Sequence, residues 1–233
     1  MPHLVITGAS RRLGLYLTKA FLAKNWHVTA ITRAPGEELM GINSSNLKIL
    51  SVDYSKPVSL QKAVEQIEQS AVDLLFHNAS YFAPDAQGFA ENHDQLQQML
   101  NTHIAMPNML NLLLKDRLVR ANNPNIIHMT DIYVDNPNPT FSNYCASKAG
   151  LENLSKSFAK TLAPNIRVNC IQPGALMFLP EHSEEAKKKV LSASLIPREA
   201  GFEPVLKTVL FLLDNPFITG TSIKVDGGRS ICR

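Results

Sequence analysis

Tyr144 and Lys148 stand four residues apart in the run SNYCASKAGLENLSKSFAKTL, whose apolar residues recur at helical spacing. The phenol and the ammonium therefore share one face of a helix. A fixed cation favours the phenolate, so the tyrosine is expected to ionise below its ordinary pKa of about 10 and to move toward the range useful for proton transfer. Such pairs also arise by chance on many helices, and the motif needs support from the rest of the chain.

A second candidate lies near the start, where an apolar run enters TGASRRLGLYL. Gly8 and Gly14 bracket the loop before a helix, and a glycine turn lets backbone amides approach a pyrophosphate beside the positive end of the helix dipole. The loop residues Ser10, Arg11, Arg12 and Leu13 thus become cofactor-binding candidates, although Arg12 occupies the place of the middle glycine of the dinucleotide fingerprint. The second strand ends in Thr32-Arg33, where an NAD-binding protein usually presents an acid to the ribose hydroxyls. A cation there suits the 2′-phosphate of NADPH, and Arg11 or Arg12 can close on the same group; the plain alternative for Arg33 is a solvated strand end. Asp53, followed by Tyr54, can accept from an adenine amino group or cap a turn.

The elements that must position these residues follow from periodicity. Nearly continuous apolar runs at 4–7, 27–32, 47–52, 72–76, 125–129, 166–171 and 222–225 predict strands. Helical patterns fall at about 13–24, 57–69, 92–119, 142–163 and 203–214, with another near 183–193. This alternation predicts an α/β fold, a Rossmann-type doubly wound parallel sheet of seven strands with helices on both faces. The 233 residues suffice for one core, so 1–233 reads as a single domain. A net charge of +3, with both signs dispersed, makes no polyanion-binding surface, and no nucleic-acid partner is expected. No basic n-region or long apolar span appears, so neither export nor membrane insertion is expected. Cys145, Cys170 and Cys232 are odd in number and far apart, which fits reduced thiols in a cytoplasm. The histidines lack metal-site spacing, so no catalytic metal is expected. The mixed charges of 184–189 read as a solvated helix face.

Taken together, TGASRRLG, VDYS at 52–55, HNAS at 77–80, Tyr144-x-x-x-Lys148, RVNCIQPG at 167–174 and TGTSIKVDGG at 219–228 resemble the short-chain dehydrogenase/reductase family along nearly the whole chain. The resemblance implies that Asn78, within the segment Asn78-Ala79-Ser80, helps hold sheet and cofactor. It implies that Tyr144 delivers a proton, that Lys148 binds the nicotinamide ribose and lowers the tyrosine pKa, and that Pro173 and Gly174 lie against the nicotinamide. The family usually forms tetramers.

Two positions depart from the family pattern. The catalytic serine usually found 13 residues before the tyrosine is Asp131, and the asparagine expected in the long central helix is His103. A carboxylate repels the alkoxide that forms in ketone reduction, whereas C=N reduction leaves a nitrogen that must gain a proton, which an acid beside a tyrosine can orient or relay. With the RRLG loop and an aromatic after HNAS, this looks like the pteridine reductase branch, in particular the bacterial dihydromonapterin reductases. That resemblance implies Asp131, Tyr144 and Lys148 as the active centre. Phe82 would sandwich a pterin against nicotinamide, Arg12 and Ser80 would touch pterin and cofactor, and Arg233 would reach a neighbouring subunit's site. The implied reaction is NADPH-dependent reduction of a 7,8-dihydropterin, dihydromonapterin-like or dihydrofolate, by hydride transfer to C6 and protonation of N5. The bland reading of Phe82 is a core or lid contact. His103 either replaces the asparagine in holding a water chain behind Lys148 or is a satisfied buried histidine. Residues 175–200 read as a substrate lid or a surface excursion. Two other classes stay open: a general NADPH-dependent carbonyl reductase that merely tolerates Asp131, and a non-catalytic NADP-binding regulatory module.

Overall fold

The computed structural model describes residues 1–232; Arg233, expected at a subunit boundary, lies outside them. All seven expected strands form one parallel sheet, β1 (His3–Thr7), β2 (His27–Thr32), β3 (Leu47–Ser51), β4 (Leu74–His77), β5 (Asn125–Met129), β6 (Arg167–Pro173) and β7 (Ser222–Val225). Their order is β3-β2-β1-β4-β5-β6-β7, so the winding reverses between β1 and β4. In such a sheet the crevice for a ligand opens at the carboxyl ends of the strands beside that reversal.

The strands are apolar on both faces because helices cover both. Val5, Leu75, Ile126 and Val168 pack against α3 (Pro57–Glu65), α5 (Met106–Val119) and α6 (Ser142–Leu162), through residues such as Leu60, Leu114 and Phe158. Their neighbours Leu4, Ile6, Phe76 and Ile127 face the other way, onto α1 (Arg12–Ala23) and α8 (Glu203–Asp214), through Leu17, Phe21 and Val209. The period of two along each strand thus builds two cores from one sheet. A short α2 (Glu37–Met40) follows β2, and α7 (Glu184–Ser192) begins at Ser183, whose hydroxyl accepts from the Ala186 amide.

The central helix departs from its expected form. It starts at Phe89 as α4 (Phe89–Leu100), passes through a π-helical turn over Asn101–Ala105, and resumes as α5. The apolar pattern runs through this turn without a break, so periodicity alone does not reveal it; π-turns concentrate at functional sites, and this one carries His103.

Gly14 shows what the loop before α1 demands. A Cβ there would lie 2.1 Å from the Gly8 carbonyl oxygen and 2.8 Å from Nδ2 of Asn78. The Gly8 backbone cannot yield without moving helix against strand. Gly14→Ala is expected to lower stability by about 1–3 kcal/mol, read as a reduced denaturant midpoint at unchanged slope.

Candidate active site

Asp131 sits two residues beyond β5 and begins a 3-10 turn over Ile132–Val134. One carboxylate oxygen accepts from the Tyr133 amide at 2.9 Å, and the other accepts from the Tyr144 hydroxyl at 2.9 Å. The carboxyl therefore both caps its own turn and faces the phenol. Lys148, one helical turn beyond Tyr144 on α6, is 2 % exposed and donates from Nζ to the Met129 carbonyl at 2.8 Å. Its ammonium lies 5.7 Å from the Tyr144 ring centre.

The electrostatics correct the sequence expectation for Tyr144. Burial, then the Asp131 charge and the hydrogen bond to it, push the phenol well above its ordinary pKa, so in this arrangement it is a neutral donor to the carboxylate. Lys148 is fixed on a backbone carbonyl, and Asp131 lies nearer the hydroxyl. Burial raises Asp131, against the opposing pull of the Tyr133 amide, Lys148, Tyr144 and Arg229. Burial also lowers Lys148 to about 8, opposed chiefly by Asp131.

Above this group lies an aromatic row. Phe82, 55 % exposed, stacks on Phe141 with ring centres 4.5 Å apart and meets Tyr144 edge-on at 4.8 Å. Tyr133 continues the row, nearly parallel to Phe141 at 6.4 Å. The loop carrying Phe82 is tied down because Asp85 accepts from the Ser142 hydroxyl and from the Ser142 and Asn143 amides at the start of α6. His103, fully buried, bonds Ser80, the Tyr81 amide and Ser147 and makes no hydrogen bond to Lys148.

Toward β1, Asn78 donates from Nδ2 to the Gly8 carbonyl at 3.0 Å, while the Asn78 and Ala79 amides both donate to the Thr7 hydroxyl at 3.1 Å. Asn78 is therefore a brace across the β1–β4 reversal. A Cβ on Gly8 would meet the Ala79 backbone at 2.7 Å, so these strand ends approach as closely as glycine allows. The first turn of α1 carries no side-chain cap, which leaves its amides facing the crevice. A cleft of about 400 Å³ runs on past the strand ends, lined by Arg33, Asp53, Tyr54 and Ser55 on one side and Asp94, Gln97, Gln98 and Asn101 on the other.

The family model for short chain dehydrogenases matches residues 2–189. The chain belongs to the short-chain dehydrogenase family. It is similar to the dihydromonapterin reductase of Citrobacter koseri, 33% identical over 98% of this chain and 96% of that protein. It is likewise similar to that of Escherichia coli K12, at 32% identity and the same coverage. Among solved structures, a short chain dehydrogenase family protein of Francisella tularensis superposes with a TM-score of 0.87 at 23% identity, covering 99% of both chains. The ligand-free aldohexose dehydrogenase of Thermoplasma acidophilum gives 0.87 at 20%, covering 99% of this chain and 94% of that one. These two likenesses carry the fold.

As a short-chain dehydrogenase the chain is an oxidoreductase that uses a nicotinamide cofactor. The uncapped helix end, the glycine contacts and the cleft fit such a group. Several expected contacts are committed elsewhere in the structure. The Ser10 hydroxyl donates to the Ala34 carbonyl and accepts from the Gly36 amide, so it braces the loop after β2. The Thr32 hydroxyl donates to the same Ala34 carbonyl. The Tyr54 hydroxyl donates inward to the Ile31 carbonyl at 3.3 Å, and burial pushes it up to about 12, so only the rest of the residue borders the cleft. Asp53 closes a turn on Ser55 and pairs with Lys56 at 3.2 Å, which favours the turn-capping alternative. Leu13 is buried among the α1 core residues.

Arg12 adopts φ 51, the left-handed conformation that glycine favours, so the backbone shape of the fingerprint persists without the glycine. Its guanidinium reaches the Met177 carbonyl and lies 6.0 Å from the Phe202 ring. It thereby ties the loop to the segment after β6, where it was expected over pterin and phosphate. Gly174 donates to the Val225 carbonyl at 3.0 Å, which fixes the Pro173-Gly174 corner beside β7. Sequence reasoning missed Phe141, Tyr133 and Ser147. Phe141, three residues before Tyr144, lies in the 3-10 turn ahead of α6, beyond the reach of the helical-spacing argument that found Lys148. The other two needed the third dimension.

Proposed function

We propose that the chain, as a single NADP-binding domain, reduces a 7,8-dihydropterin to the tetrahydropterin at the expense of NADPH. The observation that carries this reading is the Asp131–Tyr144 hydrogen bond, a carboxylate on the phenol where reduction of a ketone needs a donor to the forming alkoxide. Asp131 and Tyr144 hold one shared proton beside the reacting nitrogen and pass it to N5. The high pKa of the phenol and the raised pKa of the carboxyl both favour keeping that proton near neutral pH. Lys148, anchored on Met129, presents its ammonium to the nicotinamide ribose and offsets the negative charge left on the pair once its proton has gone to N5. Phe82, backed by Phe141, offers a flat apolar face to the heterocycle, and Ser80 lies beside it. When bound, NADPH supplies the hydride that reaches C6. The dihydromonapterin reductases to which the chain is similar support the same substrate class.

NADPH is favoured over NADH because Arg33 lines the cleft and makes no ion pair among the described residues, with Arg11 exposed at the start of α1. Guanidinium groups match phosphate oxygens in charge and geometry. Arg33→Asp should raise the KM for NADPH roughly tenfold to a hundredfold, the loss of one charge-assisted contact plus repulsion, and leave that for NADH unchanged or lower. Equal effects on both cofactors would contradict the assignment.

The function itself is tested by following NADPH oxidation with 7,8-dihydromonapterin, 7,8-dihydrofolate, quinones and simple ketones. Turnover of the dihydropterins at the highest kcat/KM is expected. Turnover of carbonyl compounds alone would place the chain with the carbonyl reductases.

A further inference from the structure

The hydrogen bonds around His103 fix the position of its proton by elimination. The Tyr81 backbone N–H, which can only donate, points at Nε2 from 3.2 Å. Nε2 therefore bears a lone pair, and in a neutral ring the proton sits on Nδ1. Nδ1 lies 2.8 Å from the Ser147 hydroxyl, whose own proton goes to the Tyr144 carbonyl at 2.7 Å, leaving its oxygen free to accept. The Ser80 hydroxyl lies 2.9 Å from the same Nε2, which has no proton to give, so Ser80 donates there and shares the lone pair with the Tyr81 amide. Burial, with Lys148 nearby, holds the imidazole well below its ordinary pKa and so keeps it neutral.

We infer that His103 is a positioning residue that locks Ser80 as a hydrogen-bond acceptor toward the substrate, so that the site selects a ligand bearing an N–H beside the Asp131–Tyr144 pair. With its proton turned back to His103, Ser80 offers only lone pairs to the pocket. A ring or amino N–H of a heterocycle meets an acceptor there, whereas a carbonyl or developing oxyanion meets a second repulsive oxygen in addition to Asp131. The bond to the Tyr81 amide also fixes the backbone next to Phe82, and Ser147 joins both to the helix that carries Tyr144. The identity of the N–H ligand rests on the dihydropterin reading; the tautomer and the acceptor role of Ser80 do not.

Two variants and one spectrum test this. Glutamine can reproduce both ends of the imidazole, with its carbonyl accepting from Tyr81 and Ser80 and its amide donating to Ser147, whereas leucine reproduces neither. His103→Leu should raise the KM for 7,8-dihydromonapterin about tenfold, with a smaller change in kcat and the KM for NADPH within about twofold. His103→Gln should recover most of that loss. Long-range ¹H–¹⁵N spectra of ¹⁵N-histidine-labelled wild type should show the His103 ring as the neutral Nδ1–H tautomer at pH 7, a result that depends on neither substrate nor variant folding. An Nε2–H or doubly protonated ring would overturn the inference, as would a His103→Leu variant with unaltered dihydropterin KM or a His103→Gln variant no better than leucine. If the wild type turns over no dihydropterin while the Nδ1–H signal is present, the substrate reading fails and the lock on Ser80 stands.

Discussion

Asp131→Asn is expected to lower kcat on a 7,8-dihydropterin by roughly 10²- to 10⁴-fold, the range for removing a positioned proton-transfer group, with NADPH binding little changed. The side chain keeps its shape, and the amide oxygen can still accept from the Tyr133 N–H, so the turn after β5 survives. What disappears is the acceptor for the Tyr144 proton and the negative charge beside Lys148. The wild type should lose activity as pH rises through about 8, where Lys148 gives up the charge that orients the nicotinamide ribose and offsets the negative charge left on the pair by proton transfer. Because Asp131 is the chief influence holding the lysine up, the asparagine variant should carry this alkaline limb to lower pH. Stopped-flow rates and kcat–pH profiles of both proteins check the size and the direction.

The second large effect concerns stability in mild acid. His3 and His77 are buried and lowered to about 4, and His103 and His128 lie well below the ordinary value, in each case mainly through burial. His77 and His128 stack 4.7 Å apart at matching positions of β4 and β5, and the Asn111 amide bridges them, its Oδ1 2.8 Å from His77 and its Nδ2 3.3 Å from His128. An unfolded chain takes up protons on these rings below about pH 6.5, while the folded protein does not until near pH 4. The folded state thus enjoys its full advantage above pH 6.5 and loses it progressively as pH falls toward 4. The loss should reach roughly 2 kcal/mol each from His3 and His77 by pH 5, with His103 and His128 adding to it. A fall in melting temperature of at least about ten degrees between pH 7 and pH 5 follows for a chain of this size. A melting temperature that stays flat over that range would show that these rings are not held neutral.

The sheet was legible because its strands are buried on both faces, and unbroken apolar runs of strand length, separated by amphipathic helices, admit few other arrangements. The two glycines were legible for a related reason, since close backbone approach admits few residue types, whereas Asn78 was legible only through the resemblance to a family. Asp131 was singled out as a departure from a family pattern, and the geometry supplies its partner in Tyr144. The direction of the tyrosine shift was not legible, because it depends on which charged group lies nearer the hydroxyl, and helical spacing places only the ring and the ammonium. The π-turn around His103 and the attachment of Arg12 to Met177 are tertiary contacts with no local signature. Ser10 and Tyr54 point to a general limit, because a motif marks where backbone passes a cofactor and leaves open where each side chain turns.

The central claim is that a carboxyl at position 131 sets this site for C=N reduction. It is tested most directly by comparing wild type and Asp131→Ser on 7,8-dihydromonapterin and on a quinone, under identical conditions with saturating NADPH. The account requires the wild type to prefer the dihydropterin in kcat/KM, and the serine variant to lose most of that activity while its relative activity on the carbonyl compound rises. An unchanged ratio between the two substrates, or a wild type that favours the quinone, would contradict it.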